Sequence, residues 1–167
     1  DTIFRLYSQT KPITAAATLV LAADGRIDLA SPVEDYLPEF MGSYVNRNGI
    51  RKKAERKITV RDLLNMTSGI AYPDLTTEGG RQSDKVFGEL GQRLYSENPM
   101  STREFSRKMG KIDLCFEPGE KFMYGASADI LGALIETVSG KSFGEFLQKS
   151  LFDPLGMKET GFFVPEQ

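Results

Sequence analysis

Phe4-Arg5-Leu6-Tyr7-Ser8-Gln9-Thr10-Lys11-Pro12-Ile13 stands near the start of the chain, and an apolar run from Ile13 to Ala23 follows it. Pro12 has no backbone N–H and is tolerated only in the first turn of a helix, so it limits how early a helix can begin here. The stretch therefore reads as Ser8 at a helix N-terminus with the apolar run as the helix body. Residues three apart share a helix face with Cβ atoms about 5–6 Å apart, which lets the Lys11 ammonium reach the Ser8 hydroxyl. A positive helix end and partial burial are both expected to lower a lysine's pKa, and a neutral lysine can take a proton from serine. Such a pair is an activated nucleophile. Taken alone, Ser-x-x-Lys is also a common chance pattern, a helix cap followed by a solvated lysine, so the rest of the chain has to decide.

The residue inventory narrows the chemistry. At 167 residues, 40% hydrophobic and 26% charged, the chain fits one globular domain or part of a larger one. Its 21 basic and 23 acidic residues leave a net charge of -2, so no overall basic field calls for nucleic acid. The Ile13–Ala23 run is interrupted by threonines and falls short of the roughly 20 residues that span a bilayer, which makes it a buried helix rather than a transmembrane segment. There is no histidine, and this rules out Ser-His-Asp and Cys-His mechanisms within the chain. With one cysteine and no histidine only carboxylates remain as metal ligands, and we expect neither a metal nor a cofactor. Cys115, between Leu114 and Phe116, reads as a packed thiol and leaves the redox compartment open. A hydrolase built from this chain has lysine, tyrosine or a carboxylate as its base.

Outward from the first helix, Asp24-Gly25 signals a stop, and Arg26-Ile27-Asp28-Leu29 alternates like a very short strand. Ser31 to Pro38 suggests a helical turn with Pro32 at its first position. Residues 41–57 read as a loop in which Arg47, Arg51, Lys52, Lys53, Arg56 and Lys57 form a solvated cluster or, alternatively, a surface for an acidic partner. Thr59 and Asp62 form a capping box for a short helix ending near Ser68-Gly69. Residues 71–82 read as an exposed loop, and Asp84 to Glu97 as a helix weakened by Gly88 and Gly91. Ser101 and Glu104 cap a helix through about Met109, and Phe116-Glu117-Pro118-Gly119 is a tight turn. Ile130, Leu131, Leu134, Ile135 and Val138 give one apolar helix face that ends at Gly140. Ser142 and Glu145 cap the next helix, with Phe143, Phe146, Leu147 and Leu151 facing inward until Asp153-Pro154-Leu155-Gly156. Gly161-Phe162-Phe163-Val164 looks like the start of a strand. The sum is about six helices and one or two fragmentary strands: a mainly α chain, a helical domain without its sheet, expected to be a piece of a longer protein.

A lysine-activated serine needs a partner that carries the proton onward. Tyr124 is the candidate, because it follows the Pro118-Gly119 turn and directly precedes the strongest amphipathic helix, a rigid position for presenting a side chain. Read without context it is an ordinary half-buried tyrosine.

Four stretches together resemble one family. They are Ser8-Gln9-Thr10-Lys11-Pro12-Ile13-Thr14-Ala15, Ile58 through Ile70 with its Thr67-Ser68-Gly69, Phe116 to Tyr124, and Ile130-Leu131-Gly132 through Leu155-Gly156-Met157. In order and spacing they resemble the serine β-lactamase and penicillin-binding-protein superfamily, and within it the class C β-lactamase-related, esterase-like group. The resemblance implies the helical part of an α/β β-lactamase/transpeptidase-like fold. It also implies that 1–167 is a single helical region, with the N-terminal strands and the C-terminal strands of the antiparallel sheet lying outside it. It makes Ser8 the nucleophile of an acyl-enzyme, Lys11 its activator and Tyr124 the general base or proton shuttle, with the Ser8 N–H as half of an oxyanion hole. The substrate it implies is a small-molecule ester, amide or β-lactam-like compound. D-Ala-D-Ala carboxypeptidase or β-lactamase action is the alternative on the same residues, and a non-catalytic binding module is the contrasting one.

Three departures from the family's pattern matter. Ala126 stands where an asparagine is expected, which favours ester hydrolysis over β-lactamase action. Met66 stands where a histidine usually precedes Thr-Ser-Gly, a packing change. No Lys-Thr-Gly or His-x-Gly triad occurs in the sequence, and the family places it on a later strand that gives the second oxyanion N–H. Apolar surface where the sheet would pack is expected to favour self-association.

Overall fold

A computed structural model describes residues 2–163. A 3-10 turn, Tyr7–Gln9, leads into α1, Thr10–Ala23, with Pro12 in its first turn, where the missing N–H costs nothing. The inner face of α1 is Thr14, Ala17, Thr18 and Leu21. The two buried threonine hydroxyls donate back to the carbonyls of Thr10 and Thr14 at 3.0 Å each, so no polar group is stranded.

The short helix α2, Val60–Leu64, and the longer α3, Glu78–Arg93, and α4, Thr102–Met109, precede the helix about which the chain is built. That helix is α5, Ser127–Ser139, whose Ile130, Leu131, Ala133, Leu134 and Ile135 are almost fully buried. It packs against α1, α2, α4 and the following α6, Phe143–Leu147. Gly140, in the left-handed region, ends α5, and α6 widens into a π-helical turn, Gln148–Phe152. Phe146, Leu147 and Phe152 are its buried side chains, with Phe143 and Leu151 packed at the margin. No helix among the described residues is long and apolar enough to cross a membrane.

The structure corrects the sequence reading in several places. Residues 44–53 form a hairpin and not a loop: β1, Tyr44–Arg47, pairs antiparallel with β2, Ile50–Lys53. Asn48 and Gly49 between them both take positive φ, 51° and 82°, the backbone of a two-residue hairpin turn whose twist matches the strands. Four of the six basic side chains of that region are paired within the chain: Arg47 with Glu120, Arg51 with Asp113, Arg56 with Asp62 and Lys57 with Glu34. The cluster is therefore largely neutralised. Helix α3 starts at Glu78, six residues before the expected Asp84, and stops at Arg93. Its cap is Thr77, which accepts from the Gly80 N–H at 3.0 Å and is itself held by Asp74. Gly79 lies so close to the Asp113 carbonyl that a Cβ would come within 2.4 Å of its oxygen, so a glycine that looks like a turn signal is a packing requirement.

Arg26–Leu29 is irregular and not a strand, because the Asp28 carboxylate takes the Ala30 N–H at 2.9 Å and folds the segment into a turn. Pro32 sits just before the 3-10 turn Val33–Asp35 rather than within it, bridging to Thr59. Helix α2 ends at Leu64, short of Ser68-Gly69. Gly161–Phe163 is irregular, and Val164 lies outside the described residues. The cap at Ser101 forms on one side only, since Glu104 turns away to Arg93 at 2.6 and 2.9 Å.

One carboxylate holds much of this together. Asp62, 6% exposed, accepts from the Thr59 N–H and hydroxyl at 2.8 and 2.7 Å, from Arg56 at 2.9 Å and from the Thr67 hydroxyl at 3.1 Å. Loss of hydration pulls its pKa up, but the Thr59 and Arg56 hydrogen bonds outweigh it and hold it below the usual 3.8. A carboxyl lowered on folding stabilises above its unfolded pKa and loses that contribution as pH falls through the folded one. Asp62→Asn should therefore cost roughly 2–4 kcal/mol at neutral pH. Urea unfolding at a series of pH values should show the deficit shrinking as pH drops below about 4. A deficit unchanged down to pH 2 would refute this account.

Candidate active site

Tyr7 adopts a left-handed backbone, φ 46°, immediately before Ser8. This unfavourable turn swings the chain into the 3-10 segment and leaves Ser8 exposed at the head of α1. Lys11, one turn on, donates to Ser8 Oγ at 3.3 Å.

Tyr124 arrives from 116 residues away and donates to the same oxygen at 2.7 Å. Its loop is strapped to the segment after α2. The Gly119 N–H donates to the Thr67 carbonyl at 2.7 Å, Cys115 N–H to Gly69 at 2.9 Å and Met123 N–H to Met66 at 2.9 Å. Ala71 and Gly125 bridge, and a Cβ on Gly125 would sit 2.1 Å from the Ile70 carbonyl oxygen, so the approach demands glycine. The Ser68 and Ser127 hydroxyls, both buried, meet at 2.8 Å and tie the same segment to the start of α5. Met66 takes φ 57° to place its carbonyl, so its position does backbone work beyond packing.

The structure thus brings Ser8, Lys11 and Tyr124 together. It also adds two residues that the sequence reading missed. The Lys11 ammonium lies 4.9 Å from the centre of the Tyr124 ring and 5.4 Å from that of Tyr72, so two aromatic rings flank it. The Tyr72 hydroxyl donates to Asp129 Oδ2 at 3.3 Å. Tyr72 follows the Thr-Ser-Gly stretch by three residues, and Asp129 is the acidic residue in the first turn of α5. Those positions were the available signal, but nothing in the sequence joins one to the other.

The expected direction of the Lys11 pKa is reversed. Loss of hydration, the largest single influence, does pull it down, but hydrogen bonds to the Tyr124 and Tyr72 hydroxyls push it above the usual 10.5. Tyr124 moves the opposite way, below 10.0, because Ser8 and Lys11 both favour its ionised form. Tyr72 is raised by loss of hydration. The Asp129 carboxyl is also raised, with loss of hydration from the surrounding residues as the main cause although the residue itself is exposed. Lysine keeps its proton and Tyr124 is the readier to give one up. A cavity of about 330 Å³ opens beside the triad, with Lys11 and Asp129 on its wall and apolar Leu90, Met100, Phe105 and Phe143 around it. Cys115 stays out of the chemistry: its thiol donates to Thr77 at 3.4 Å and burial pushes its pKa up. No cluster of potential metal ligands occurs among the described residues.

The family profile described as Beta-lactamase matches residues 1–167. Esterase EstB of Burkholderia gladioli is 34% identical over 171 residues, covering 99% of this chain and 40% of that protein. Among solved structures, EstCE1, a hydrolase with promiscuous acyltransferase activity, superposes with a TM-score of 0.71 at 25% identity, over 92% of this chain and 38% of that one. A D-stereospecific amidohydrolase from Streptomyces sp. gives a TM-score of 0.66 at 32% identity, over 93% and 43%. The chain spans 40% of the length of relatives such as EstB and 28% of others, among them protein flp of Staphylococcus aureus.

Two outcomes follow from the geometry. With tyrosines labelled at 13Cζ, the Tyr124 signal should titrate below free tyrosine and move back up in Lys11→Ala, which removes the neighbouring cation. Tyr124→Phe should unfold in urea within about 0.5 kcal/mol of the parent, because the ring is half exposed and its hydroxyl serves Ser8 rather than the core. A large loss of stability would make Tyr124 a structural residue.

Proposed function

The chain belongs to the beta-lactamase family, and on that premise we propose that it carries the nucleophile and base of a serine hydrolase that transfers an acyl group from a small ester or amide through Ser8. One observation carries the reading: a single hydroxyl oxygen, Ser8 Oγ, receives both the Lys11 ammonium and the Tyr124 phenol. Esterase and amidohydrolase relatives support the substrate class.

The roles follow from where the protons sit. While Tyr124 is protonated it donates to Ser8. Once ionised, it accepts the Ser8 proton along the same 2.7 Å line, and the neighbouring Lys11 cation makes that ionised state accessible. The Ser8 oxygen attacks the acyl carbon, and the developing oxyanion meets the Ser8 N–H as one of its donors. Collapse of the tetrahedral species expels the alcohol or amine, which takes the proton from Tyr124. Water then repeats the sequence on the acyl-enzyme, with Tyr124 again the acceptor. In this scheme tyrosine is the base and lysine the electrostatic partner, an order set by the opposite pKa directions of the two groups.

Esters are favoured over β-lactams at this site. Ala126, two residues beyond Tyr124, is completely buried and counted in the core, so it offers the acyl group no amide to bind.

The expected result at full gene length is a single fluorophosphonate adduct by intact mass, absent in Ser8→Ala. Turnover of short p-nitrophenyl esters should fall roughly a thousandfold or more in Lys11→Ala and in Tyr124→Phe. In the parent, kcat/KM should rise with pH through the lowered Tyr124 pKa, with its high-pH limit set by deprotonation of Lys11 above 10.5. A full-length protein that never labels refutes the reading, and turnover of a D-Ala-D-Ala peptide without ester turnover replaces it with a carboxypeptidase.

A further inference from the structure

Tyr72 stands between a cation and an anion. The Lys11 ammonium lies 5.4 Å from the centre of the Tyr72 ring, and the Tyr72 hydroxyl donates to Asp129 Oδ2 at 3.3 Å. Its ring sits beside Tyr124 with centroids 5.7 Å apart, and the other side meets Phe87 edge-on at 5.5 Å. Phe87 in turn meets Phe105 edge-on at 5.1 Å, so an aromatic column runs from the core to the ammonium. Each contact restrains a different freedom. The column fixes the plane of the Tyr72 ring, and Asp129 fixes the direction of its O–H. An O–H committed to Asp129 leaves the oxygen lone pairs free to accept from the neighbouring ammonium.

We propose that Tyr72 and Asp129 are a positioning pair for the acylation machinery: Asp129 orients the Tyr72 hydroxyl, and Tyr72 holds the Lys11 ammonium against Ser8 and Tyr124. The inference rests on the assignment of Ser8, Lys11 and Tyr124 proposed above, and adds residues from two further elements. Neither side chain reaches Ser8. Their effect passes through the position of Lys11 and the charge that faces Tyr124.

The groups facing this cluster are few. Tyr72 comes from the loop between α2 and α3, Lys11 from α1, Asp129 from α5 and Tyr124 from the loop before α5; Tyr7 is the other titratable residue on the cavity wall among the described residues. Asp129 opposes ionisation of Tyr124 through its negative charge, while Lys11 favours it. Replacing the carboxylate by an amide keeps an acceptor for Tyr72 and removes the charge. The Tyr124 phenol should then ionise more readily, at lower pH. Tyr72→Phe keeps the ring column and removes both the bond to Asp129 and the oxygen beside Lys11.

Two readouts test the pair at full gene length. The first is the rate of fluorophosphonate labelling of Ser8 against pH, and the second is the 13Cζ titration of Tyr124, which needs no activity. Asp129→Asn should move both the acid limb of labelling and the Tyr124 titration to lower pH. Tyr72→Phe should slow labelling roughly ten- to a hundredfold, the scale of a small misplacement of reacting groups. Asp129→Ala, which removes the acceptor as well as the charge, should slow labelling like Tyr72→Phe, with Asp129→Asn recovering part of the loss. If the acid limb and the titration stay in place in Asp129→Asn while the rate drops, Asp129 is merely structural and the proposal falls. If Tyr72→Phe labels at the parental rate, it falls as well. A parent that does not label overturns the hydrolase reading instead, and the Tyr124 titration in Asp129→Asn then still decides whether Asp129 faces the phenol as proposed.

Discussion

The site depends on one distance. Ser8 and Tyr124 meet at 2.7 Å although 116 residues separate them, and both lie at the surface, where no dense packing holds the side chains themselves. What fixes the distance is the burial beneath them. Helix α1 packs on α5 through Ala17, Leu21 and two threonines whose hydroxyls are satisfied inside α1. Ser8 rides on the first end of α1, and Tyr124 stands three residues before α5. A loop that short, strapped by backbone hydrogen bonds to residues 66–71, has little slack. Precision at the exposed end is inherited from two buried helix faces.

The same economy governs the charges. A carboxylate taken out of water is tolerated only with donors around it. Asp62 has Thr59, Thr67 and Arg56, and Asp113 has Arg51 and Asn46. Asp129 is different, with the Tyr72 hydroxyl as its side-chain donor at 3.3 Å and its pKa drawn upward. Asp62 is lowered by its partners. Asp129, close to Lys11, is not.

Local patterns made the helices legible. The capping boxes at Thr59 and Ser142 formed as their spacing implies, and the apolar periodicity of residues 130–138 marked the central helix. Ser8 and Lys11 were readable because a helix brings positions three apart to one face, and Tyr124 because a turn and a helix flank it. The family resemblance supplied the link between them that local pattern cannot. The hairpin was missed although Asn48-Gly49 is a strong turn signal, because the charges around it read as a solvated loop; their partners, Asp113 and Glu120, lie more than sixty residues away. Helix α3 begins earlier than the pattern suggests because residues 71–82 read as an exposed loop, whereas Gly79 is demanded by the Asp113 backbone. Tyr72 and Asp129 were invisible for a similar reason, since their contact is 57 residues long and carried by no motif.

The reversed lysine pKa has the same origin. Helix end and burial are the two influences a sequence can suggest, and both act on Lys11 in isolation. The structure adds two phenols, and these reverse the sign. The rise at Lys11 and the fall at Tyr124 share one interaction, a cation beside a phenol that favours the state in which the phenol has lost its proton and the lysine has kept its own; the Ser8 hydrogen bond adds to the fall and Tyr72 to the rise. Lysine cannot then be the base in the same microstate in which tyrosine is. In a chain without histidine the Ser8 hydrogen bond and this pairing together draw a phenol, a poor base at its ordinary pKa, downward toward neutral pH. On the reading proposed above, the absence of histidine and the two rings flanking the ammonium are parts of one solution: the group that holds the positive charge and the group that takes the proton are separate residues.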